Sequence, residues 1–316
     1  MVRGRFLLAL LATLGAAVAA AQDSVAPGPK HFALVPTGEG TYAAIAKDGD
    51  PAALGNAGFV IGSDAVLVVD TFATPAAAEE LASEIRKLTP LPVKWVVNTH
   101  YHLDHVGGNS VFTSAGARVV AEENVRAWIR TENLKWRKEI TAEDRETLSR
   151  LVLPDLVYRD GLTIWLGDRK VDILSRPGHT GGDSIVFVPS ANVLYGGDLI
   201  WKNTVPNLID ASTEAWVNTI DGFLQEHPAA TFVPGHGDVG KALDVRYFRD
   251  YLSGLRIAVA RGLAEGKSGK ALAEAILTNQ QTRYGTWKWF DAFGPRNIEL
   301  TEQELKGVKK LPPPAR

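Results

Sequence analysis

The residues with the clearest chemistry lie in one short segment, HYHLDH, at positions 100–105. In an extended segment, residues i and i+2 point to the same side, so His100 and His102 can bind one metal ion. The turn that follows directs Asp104 and His105 to a neighbouring position. Such an H-x-H-x-D-H pattern is rare by chance, and it predicts a metal site.

Two other loops also combine a histidine with glycines. His179 lies in the segment PGHTGGD (177–183), and His236 lies in the segment PGHG (234–237). Asp198 follows two glycines at the end of another predicted strand and adds a carboxylate. Glycine beside a candidate ligand lets the backbone turn sharply near a cation. We therefore interpret the three loops and Asp198 as parts of one metal site.

Short apolar segments, which we predict to be strands, precede these loops and must position them. Val93–Val97 runs into the HYHLDH segment, Val171–Leu174 precedes the second loop and Thr231–Val233 precedes the third. Pro75 opens a predicted helix with one apolar face. Strand-rich halves separated by helices predict an α/β (α+β) fold of packed sheets covered by helices.

The composition of the chain predicts how it is divided into an arm, a domain and a tail. Residues 22–38 contain three prolines, and we expect a flexible N-terminal arm there. One domain then covers residues 39–300 and includes a charge-rich helical insertion at about 121–160. C-terminal helices follow at about 243–300, and residues 301–316 form a tail.

The first residues have the pattern of a secretory signal. Arg3 and Arg5 precede an apolar run from 6 to 21, and three alanines precede Gln22. This pattern predicts a signal peptide at residues 1–21, cleaved near Ala21-Gln22. The alternative is a membrane anchor, but the run is shorter than the about 20 residues that span a bilayer. We therefore expect a secreted or periplasmic protein without a stable membrane span after cleavage.

Composition limits both the ligands and the partners. The 316 residues include seven histidines and no cysteine, which excludes disulfides, thiol catalysis and cysteine-bound zinc or iron–sulfur sites. A metal must therefore be bound by nitrogen and oxygen. The balance of 34 basic and 36 acidic residues gives no reason to expect a nucleic-acid partner. His31 and His227 have no motif around them and are expected to be outside the metal site.

Taken together, these motifs resemble the metallo-β-lactamase superfamily over about residues 41–240. The matching segments occur in the family's order: Val66–Asp70, the HYHLDH segment, Gly178-His179-Thr180, Gly197-Asp198 and Gly235-His236-Gly237. The resemblance implies a four-layer αββα sandwich with two metal ions at one edge. Zinc is the default metal for such a donor set, and iron and manganese remain alternatives because carboxylate and imidazole also suit them.

The resemblance also implies a role for each candidate ligand. The residues that would hold the first metal are His100, His102 and His179. The residues that would hold the second metal are Asp104, His105 and His236. Asp198 would bridge both metals, and Asp70 would orient the loops that carry the ligands.

The implied activity is hydrolysis of an amide, lactone or ester carbonyl by a hydroxide that bridges the two metals, with Asp104 assisting proton movement. The missing cysteine excludes one β-lactamase subclass. Asp198 differs from the small hydroxyl residue of the remaining matching subclass, so a lactonase-like activity competes with a β-lactamase-like one. Further alternatives are a thioesterase, a phosphodiesterase, an iron-dependent oxidoreductase and a non-catalytic metal-binding protein.

A small molecule is the expected substrate, and the sequence does not indicate an oligomeric state. The candidate substrate-binding residues lie in or just after the ligand loops: Tyr101, Trp201, Lys202 and Asn203. Lys202 could pair with a substrate carboxylate, although a solvated surface lysine is an equal alternative. The 121–160 insertion is a candidate lid, and within it Thr141 and Asp144 resemble a capping pair at the start of a helix.

Overall fold

The computed structural model describes residues 28–135, 137 and 139–315. Its first sheet has seven strands in chain order: β1 (Phe32–Gly38), β2 (Thr41–Ala46), β3 (Ala57–Ile61), β4 (Val66–Val69), β5 (Val93–Val97), β6 (Arg118–Glu122) and β7 (Leu156–Tyr158). The second sheet has five strands, here in chain order: β8 (Gly161–Leu166), β9 (Arg169–Ser175), β10 (Ser184–Val188), β11 (Val193–Trp201) and β12 (Thr231–His236). In space the order of the second sheet is β12-β11-β10-β9-β8.

The helices of the described residues lie between the strands and after the last strand along the chain. They are α1 (Pro75–Leu88), α2 (Leu103–Val106), α3 (Asn109–Ser114), α4 (Glu123–Trp128), α5 (Ala142–Arg150), α6 (Thr213–Glu226), α7 (Ala242–Ala264), α8 (Gly269–Tyr284) and α9 (Phe290–Leu305). None of the described helices combines the length and apolar character needed to cross a membrane.

The two sheets pack face to face, and helices cover both outer faces. Side chains alternate between the two faces of β4, so both faces of the first sheet are covered. Leu67 packs between the sheets, and Val68 packs outward beneath α1. Leu81 on the apolar stripe of α1 lies in the same outer cluster as Val68. On the other side, Trp216 of α6 and Phe248 of α7 cover the second sheet. The predicted four-layer αββα sandwich is therefore confirmed.

Parallel pairing brings the ends of several strands to one edge. β4, β5 and β6 run parallel in the first sheet, and β11 and β12 run parallel in the second. The segments after β5 and β9, the last part of β11 and the last residue of β12 carry the candidate ligands. The face-to-face packing of the sheets brings these segments together.

Some of the predicted boundaries were wrong. Residues 32–38 of the predicted arm form β1, because Phe32 is fully buried and the segment pairs antiparallel with β2. The predicted tail is also shorter than expected, since α9 continues to Leu305. The leader at 1–21 and residues 22–27 of the arm lie outside the described residues.

The 121–160 insertion is only partly helical. It contains α4 and α5, but it begins within β6 and its last part forms β7, which completes the first sheet. The capping pair is confirmed: the Thr141 hydroxyl accepts from the backbone N–H of Asp144, and the Asp144 carboxylate accepts from that of Thr141. Trp128 packs in a cluster with Tyr101 of the ligand segment. The insertion is therefore packed against the ligand-bearing edge.

Candidate metal centre

Among the described residues, two groups of side chains have the composition and proximity to hold metal ions. The first consists of His100, His102, His179 and Asp198, and the second consists of Asp104, His105 and His236. Within each group, one donor atom per residue lies within 4.8 Å of the others. All seven candidate ligands therefore meet at one edge.

The three histidines of the first group converge through defined ring nitrogens. His102 Nδ1 lies 3.1 Å from His100 Nε2 and 3.0 Å from His179 Nε2. His100 and His179 are each 1% exposed, whereas the His102 side chain is 17% exposed. His102 is therefore the most accessible histidine of the two groups.

The second group is arranged around the Asp104 carboxylate. Asp104 Oδ2 lies 3.5 Å from His105 Nε2 and 3.3 Å from His236 Nε2. Both imidazoles are buried, and the Asp104 side chain is 17% exposed. The carboxylate is thus the part of this group that solvent or a substrate can approach.

Asp198 joins the two groups, with one oxygen toward each. Its Oδ2 lies 3.3 Å from His179 Nε2 and 3.6 Å from His100 Nε2. Its Oδ1 lies 3.1 Å from His105 Nε2 and 3.4 Å from His236 Nε2. A carboxylate in this orientation can bridge two cations.

The unpaired atoms and the donor chemistry fit divalent cations. His105 Nε2 and Asp198 Oδ1 are buried and 3.1 Å apart, yet neither has a hydrogen-bond partner within the described residues. Buried polar atoms without partners are costly, so such a pair needs another occupant. Imidazole and carboxylate donors in this number suit zinc and similar ions.

The electrostatics of the two groups differ. Burial lowers the pKa of His100, and lowers that of His179 to about 3, so both imidazoles are neutral, the state that binds a metal. Burial also acts to lower the pKa of His236, but the nearby Asp198 and Asp104 carboxylates outweigh it and raise the pKa to about 9. The second group therefore attracts positive charge.

Glycines allow the backbone to approach these ligands. A Cβ at Gly235 would lie 2.0 Å from Asp198 Oδ1, so a side chain there would displace the bridging carboxylate. Gly197 has a φ of +49°, and a Cβ there would lie 2.3 Å from Thr99 Oγ1. At both positions the backbone lies so close to neighbouring residues of the site that only glycine fits.

Asp70 supports the second group, as the resemblance implied. Its Oδ2 lies 2.9 Å from His105 Nδ1 and accepts a hydrogen bond from the Thr99 hydroxyl at 2.7 Å. Its Oδ1 accepts from the Thr99 backbone N–H at 2.8 Å. Burial raises the pKa of Asp70, although His105 opposes the effect. Asp70 thus orients His105 and the start of the ligand segment together.

Asp210 has the corresponding position beside the first group, and the sequence analysis missed it. Its side chain is fully buried, and Oδ2 lies 3.6 Å from His102 Nε2. The same carboxylate accepts from the Tyr101 hydroxyl and from Lys135 Nζ. Burial acts to raise the pKa of Asp210, but the contacts with His102 and Lys135 lower it overall. No local motif surrounds Asp210.

The four residues predicted to bind substrate do not form an open surface. Tyr101 is fully buried with its hydroxyl on Asp210, and Trp201 is 2% exposed and stacks on His236 at 4.1 Å between ring centroids. Lys202 donates to the Val239 carbonyl at 3.0 Å and pairs with Asp244 at 3.3 Å. The side chains of these three residues are therefore engaged in contacts within the protein, and their predicted role in substrate binding stays a prediction.

Asn203 is exposed, and its role is in the backbone. It has a φ of +52°, and its carbonyl accepts from the Lys288 N–H at 3.0 Å. The pairing connects this loop with Trp289, which also has a left-handed backbone at φ +62°. Trp289 is half-buried, and its ring lies 5.0 Å from that of His236. Trp289 thus packs against a candidate ligand through this connection.

The two remaining histidines lie outside both groups. His31 contacts Asp50 through Nδ1 at 2.9 Å, and His227 packs on Phe187 at 4.1 Å between ring centroids. Within the described residues, neither belongs to a candidate metal group. Their expected placement outside the site is confirmed.

Known proteins resemble this chain in sequence and in fold. The sequence model of the metallo-beta-lactamase superfamily matches residues 51–236. The chain is 26% identical to the metallo-beta-lactamase type 2 of Bacteroides fragilis over 63% of this chain and 76% of that protein. It is 22% identical to the linear primary-alkylsulfatase of Pseudomonas sp. (strain ATCC 19151), over 67% of this chain and 48% of that protein.

A solved structure with the same fold is also known. A metallo-beta-lactamase from Pontibacter korlensis superposes with a TM-score of 0.59 at 21% identity, covering 70% of this chain and 99% of that one. The family match covers more than half of the chain and includes all seven candidate ligands. The chain therefore belongs to the metallo-beta-lactamase superfamily and is a hydrolase of that fold with a candidate metal site of histidines and aspartates.

Proposed function

We propose that this protein is an exported, zinc-dependent hydrolase with two metal ions that cleaves an amide, lactone or ester carbonyl. The observation that carries the proposal is the orientation of Asp198, whose two oxygens face separate groups of three ligands. A mononuclear site would need only one of these groups. Two divalent cations held there would supply a water nucleophile with a pKa of about 7 and would polarise the bond to be cleaved.

The chain's own residues divide the remaining tasks. The imidazoles of His100 and His179 are buried and neutral at neutral pH. Each therefore has a free lone pair for a cation without first losing a proton. Asp104 is anchored beside His105 and His236, and its partly exposed carboxylate can accept a proton from an approaching nucleophile.

Asp198 also bears on the substrate class. A carboxylate between the two groups adds negative charge and weakens the pull of the bound cations on a substrate carbonyl. This effect favours activated esters and lactones over β-lactam amides. Since one relative is named an alkylsulfatase, a sulfate ester belongs in the substrate test as well.

The test combines metal analysis with a substrate panel on the mature protein. The panel contains a lactone, a β-lactam, a thioester, a phosphodiester and an alkyl sulfate, each measured with and without chelator. We expect two zinc ions per chain and lactone or ester hydrolysis that chelator removes and zinc restores. Iron with oxygen-dependent turnover would support an oxidoreductase instead, and bound metal without any turnover would support a binding protein.

An Asp198→Asn variant tests the bridge itself. The amide keeps the size of the side chain but offers only one oxygen, so it cannot serve both groups. We expect the zinc content to fall from two ions toward one, with loss of turnover. Two retained ions with full turnover would exclude the bridging role.

Export is a separate part of the proposal. It rests on the basic and apolar pattern of residues 1–21. We expect the purified secreted or periplasmic protein to begin at Gln22 when its N-terminus is sequenced. Recovery of the full chain with Met1 in the membrane fraction would contradict cleavage.

A further inference from the structure

His102 is the ligand of the first group that depends most on outside support. It is the partly exposed histidine, and it lies at the start of α2, a helix of four residues, where its side chain makes no capping hydrogen bond. His100 and His179 are enclosed by the protein. The position of the His102 ring must therefore be set by groups that contact this short segment.

Asn133 fixes the backbone on both sides of His102. Its side-chain amide donates to the Tyr101 carbonyl at 2.7 Å, and its side-chain oxygen accepts from the Leu103 N–H at 2.9 Å. The amide also donates to the Ile129 carbonyl at 2.9 Å. Asn133 is 5% exposed, so these bonds are shielded from water. One side chain of the insertion thus spans the peptide units that flank His102.

Asp210 fixes the ring of His102. Its buried carboxylate lies within ion-pair range of His102 Nε2, at 3.6 Å. A carboxylate there favours the tautomer with the proton on Nε2, which leaves the lone pair on Nδ1. Nδ1 is the atom that faces the other two histidines of the group. The Asp210 carboxylate therefore determines which nitrogen of His102 can bind a cation.

Lys135 connects these two supports. Its ammonium pairs with Asp210 and with Glu132 Oε2, the latter at 3.4 Å. Lys135 is two residues from Asn133, so the same turn of the insertion holds both the backbone and the ring partner of His102. The Tyr101 hydroxyl adds a further bond to Asp210. We call Asn133, Lys135 and Asp210 the His102 support.

We propose that the His102 support positions His102 and thereby sets the affinity of the first ligand group for its cation. The 121–160 insertion is then part of the metal site and not only a cover over it. The proposal rests on the proposed two-metal site, and it goes beyond that site by assigning positioning roles to residues that bind no metal themselves.

The main test is zinc titration of the full-length mature protein against a chromophoric chelator. The Asp210→Asn variant keeps the shape and removes the charge, and we expect one zinc to bind about 10–100-fold more weakly while the other is unchanged. Lys135→Met should weaken the same zinc by a smaller factor, and Lys135→Arg should restore it. Equal weakening of both ions, or of neither, would overturn the proposal.

A matched control separates this effect from loss of surface charge. Asp64 pairs with Lys94 at 2.9 Å on the surface, so Asp64→Asn makes the same chemical change away from the site. We expect that variant to bind both zinc ions as the wild type does. Weakening of the first zinc in Asp64→Asn would show that a general charge effect, and not the support, is responsible.

A spectroscopic measurement tests positioning without relying on activity. Nitrogen NMR of the metal-free protein should show His102 with its proton on Nε2, and Asp210→Asn should lose that preference. The cobalt-substituted protein should show a changed visible spectrum for one of two ions in the same variant. An unchanged tautomer and spectrum would mean that Asp210 only fills space.

His102→Ala keeps failure of this proposal distinct from failure of the metal site. If His102→Ala removes one zinc and Asp210→Asn has no effect, the site stands and the support is wrong. If His102→Ala leaves both zinc ions bound, the proposed site itself is wrong.

Discussion

The two ligand groups lie side by side, but different parts of the molecule support them. The second group is held from within the two sheets, where Asp70 at the end of β4 orients His105 and Trp201 of β11 stacks on His236. The first group depends at His102 on the insertion and on the loop that carries Asp210. The second ligand group is thus supported by the two sheets, whereas His102 of the first group is supported by the insertion and by the loop that carries Asp210.

The side chains that bind the backbone beside the ligands also differ between the two groups. Asn56 donates to the carbonyls of Pro234 and Gly237 at 2.9 and 2.8 Å, and so spans the loop of His236. Asn133 spans His102 in a similar way, but from the insertion. The difference implies that changes in the sheets affect the second cation, whereas changes in the insertion affect the first.

The largest expected effect is on the second group. Trp201→Ala removes a ring that is 2% exposed, that stacks on His236 and that donates to the Asp198 carbonyl at 2.7 Å. The free energy of unfolding should fall by about 3–5 kcal/mol, as for other buried tryptophans. Urea denaturation of the metal-free protein measures the loss, and zinc titration should show weaker binding at one position.

Trp165 provides the matched control for this change. It is 60% exposed on β8, so Trp165→Ala should alter the free energy of unfolding by less than about 0.5 kcal/mol. A comparable loss in both variants would mean that truncating any tryptophan destabilises this fold, and that Trp201 has no special role.

A slightly smaller effect is expected from Asp70→Asn. The amide can still accept from the Thr99 N–H, but it no longer pairs with His105, which is fully buried. Breaking one partner of a buried pair costs about 3 kcal/mol. Chemical denaturation should show this loss, and the zinc that Asp70→Asn weakens should be the one that Asp210→Asn leaves unchanged. If both variants weakened the same ion, the division between the two groups would be wrong.

The sequence predicted which candidate ligands the fold brings together, because their signal is local. In the HYHLDH segment, alternation places His100 and His102 on one side, and strand ends followed by glycine loops bring His179 and His236 to the same edge. The structure brings together all seven candidate ligands. Local spacing therefore contains most of the information about this site.

The supporting residues could not be predicted in the same way. Asp210 is 108 residues from His102 and Asn56 is 180 residues from His236, and no local pattern connects the two positions of either pair. Their role depends on how the two sheets and the insertion pack. For the same reason the sequence predicts a flexible arm where β1 lies. The three prolines of residues 22–38 give no sign that Phe32–Gly38 pairs with β2.

The orientation of Tyr101 follows from the same alternation. If alternation directs His100 and His102 toward the metal, then Tyr101 between them must point to the opposite side. The structure places it there, fully buried against Trp128 and Asp210. The same rule that predicted the ligands thus argued against a substrate-binding role for Tyr101.

The two asparagines allow a direct comparison of backbone support. Asn56→Ala and Asn133→Ala each leave buried carbonyls without a donor, which should cost about 1–3 kcal/mol of unfolding free energy in either case. Stability should therefore change similarly, while zinc titration should separate the variants. We expect Asn56→Ala to weaken the second cation and Asn133→Ala the first. The reverse assignment would contradict the division.

A pH dependence of stability is also expected, and it comes from the C-terminal tail. Burial lowers the pKa of Lys309 to about 8, and its ammonium donates to the carbonyls of Leu208 and Ala211, on either side of Asp210. Between pH 8 and 10 the unfolded chain keeps a proton that the folded chain has lost. Lys309 thus makes stability rise with pH in this window, by at most about 1.4 kcal/mol per pH unit.

The pH effect is measured as the difference in unfolding free energy between the wild type and Lys309→Met across this window. The difference should change with pH because methionine cannot titrate. Since Lys309 holds the loop of Asp210, its replacement should also weaken the first cation and not the second. A pH-independent difference with unchanged zinc binding would show that the tail does not contribute to the first group.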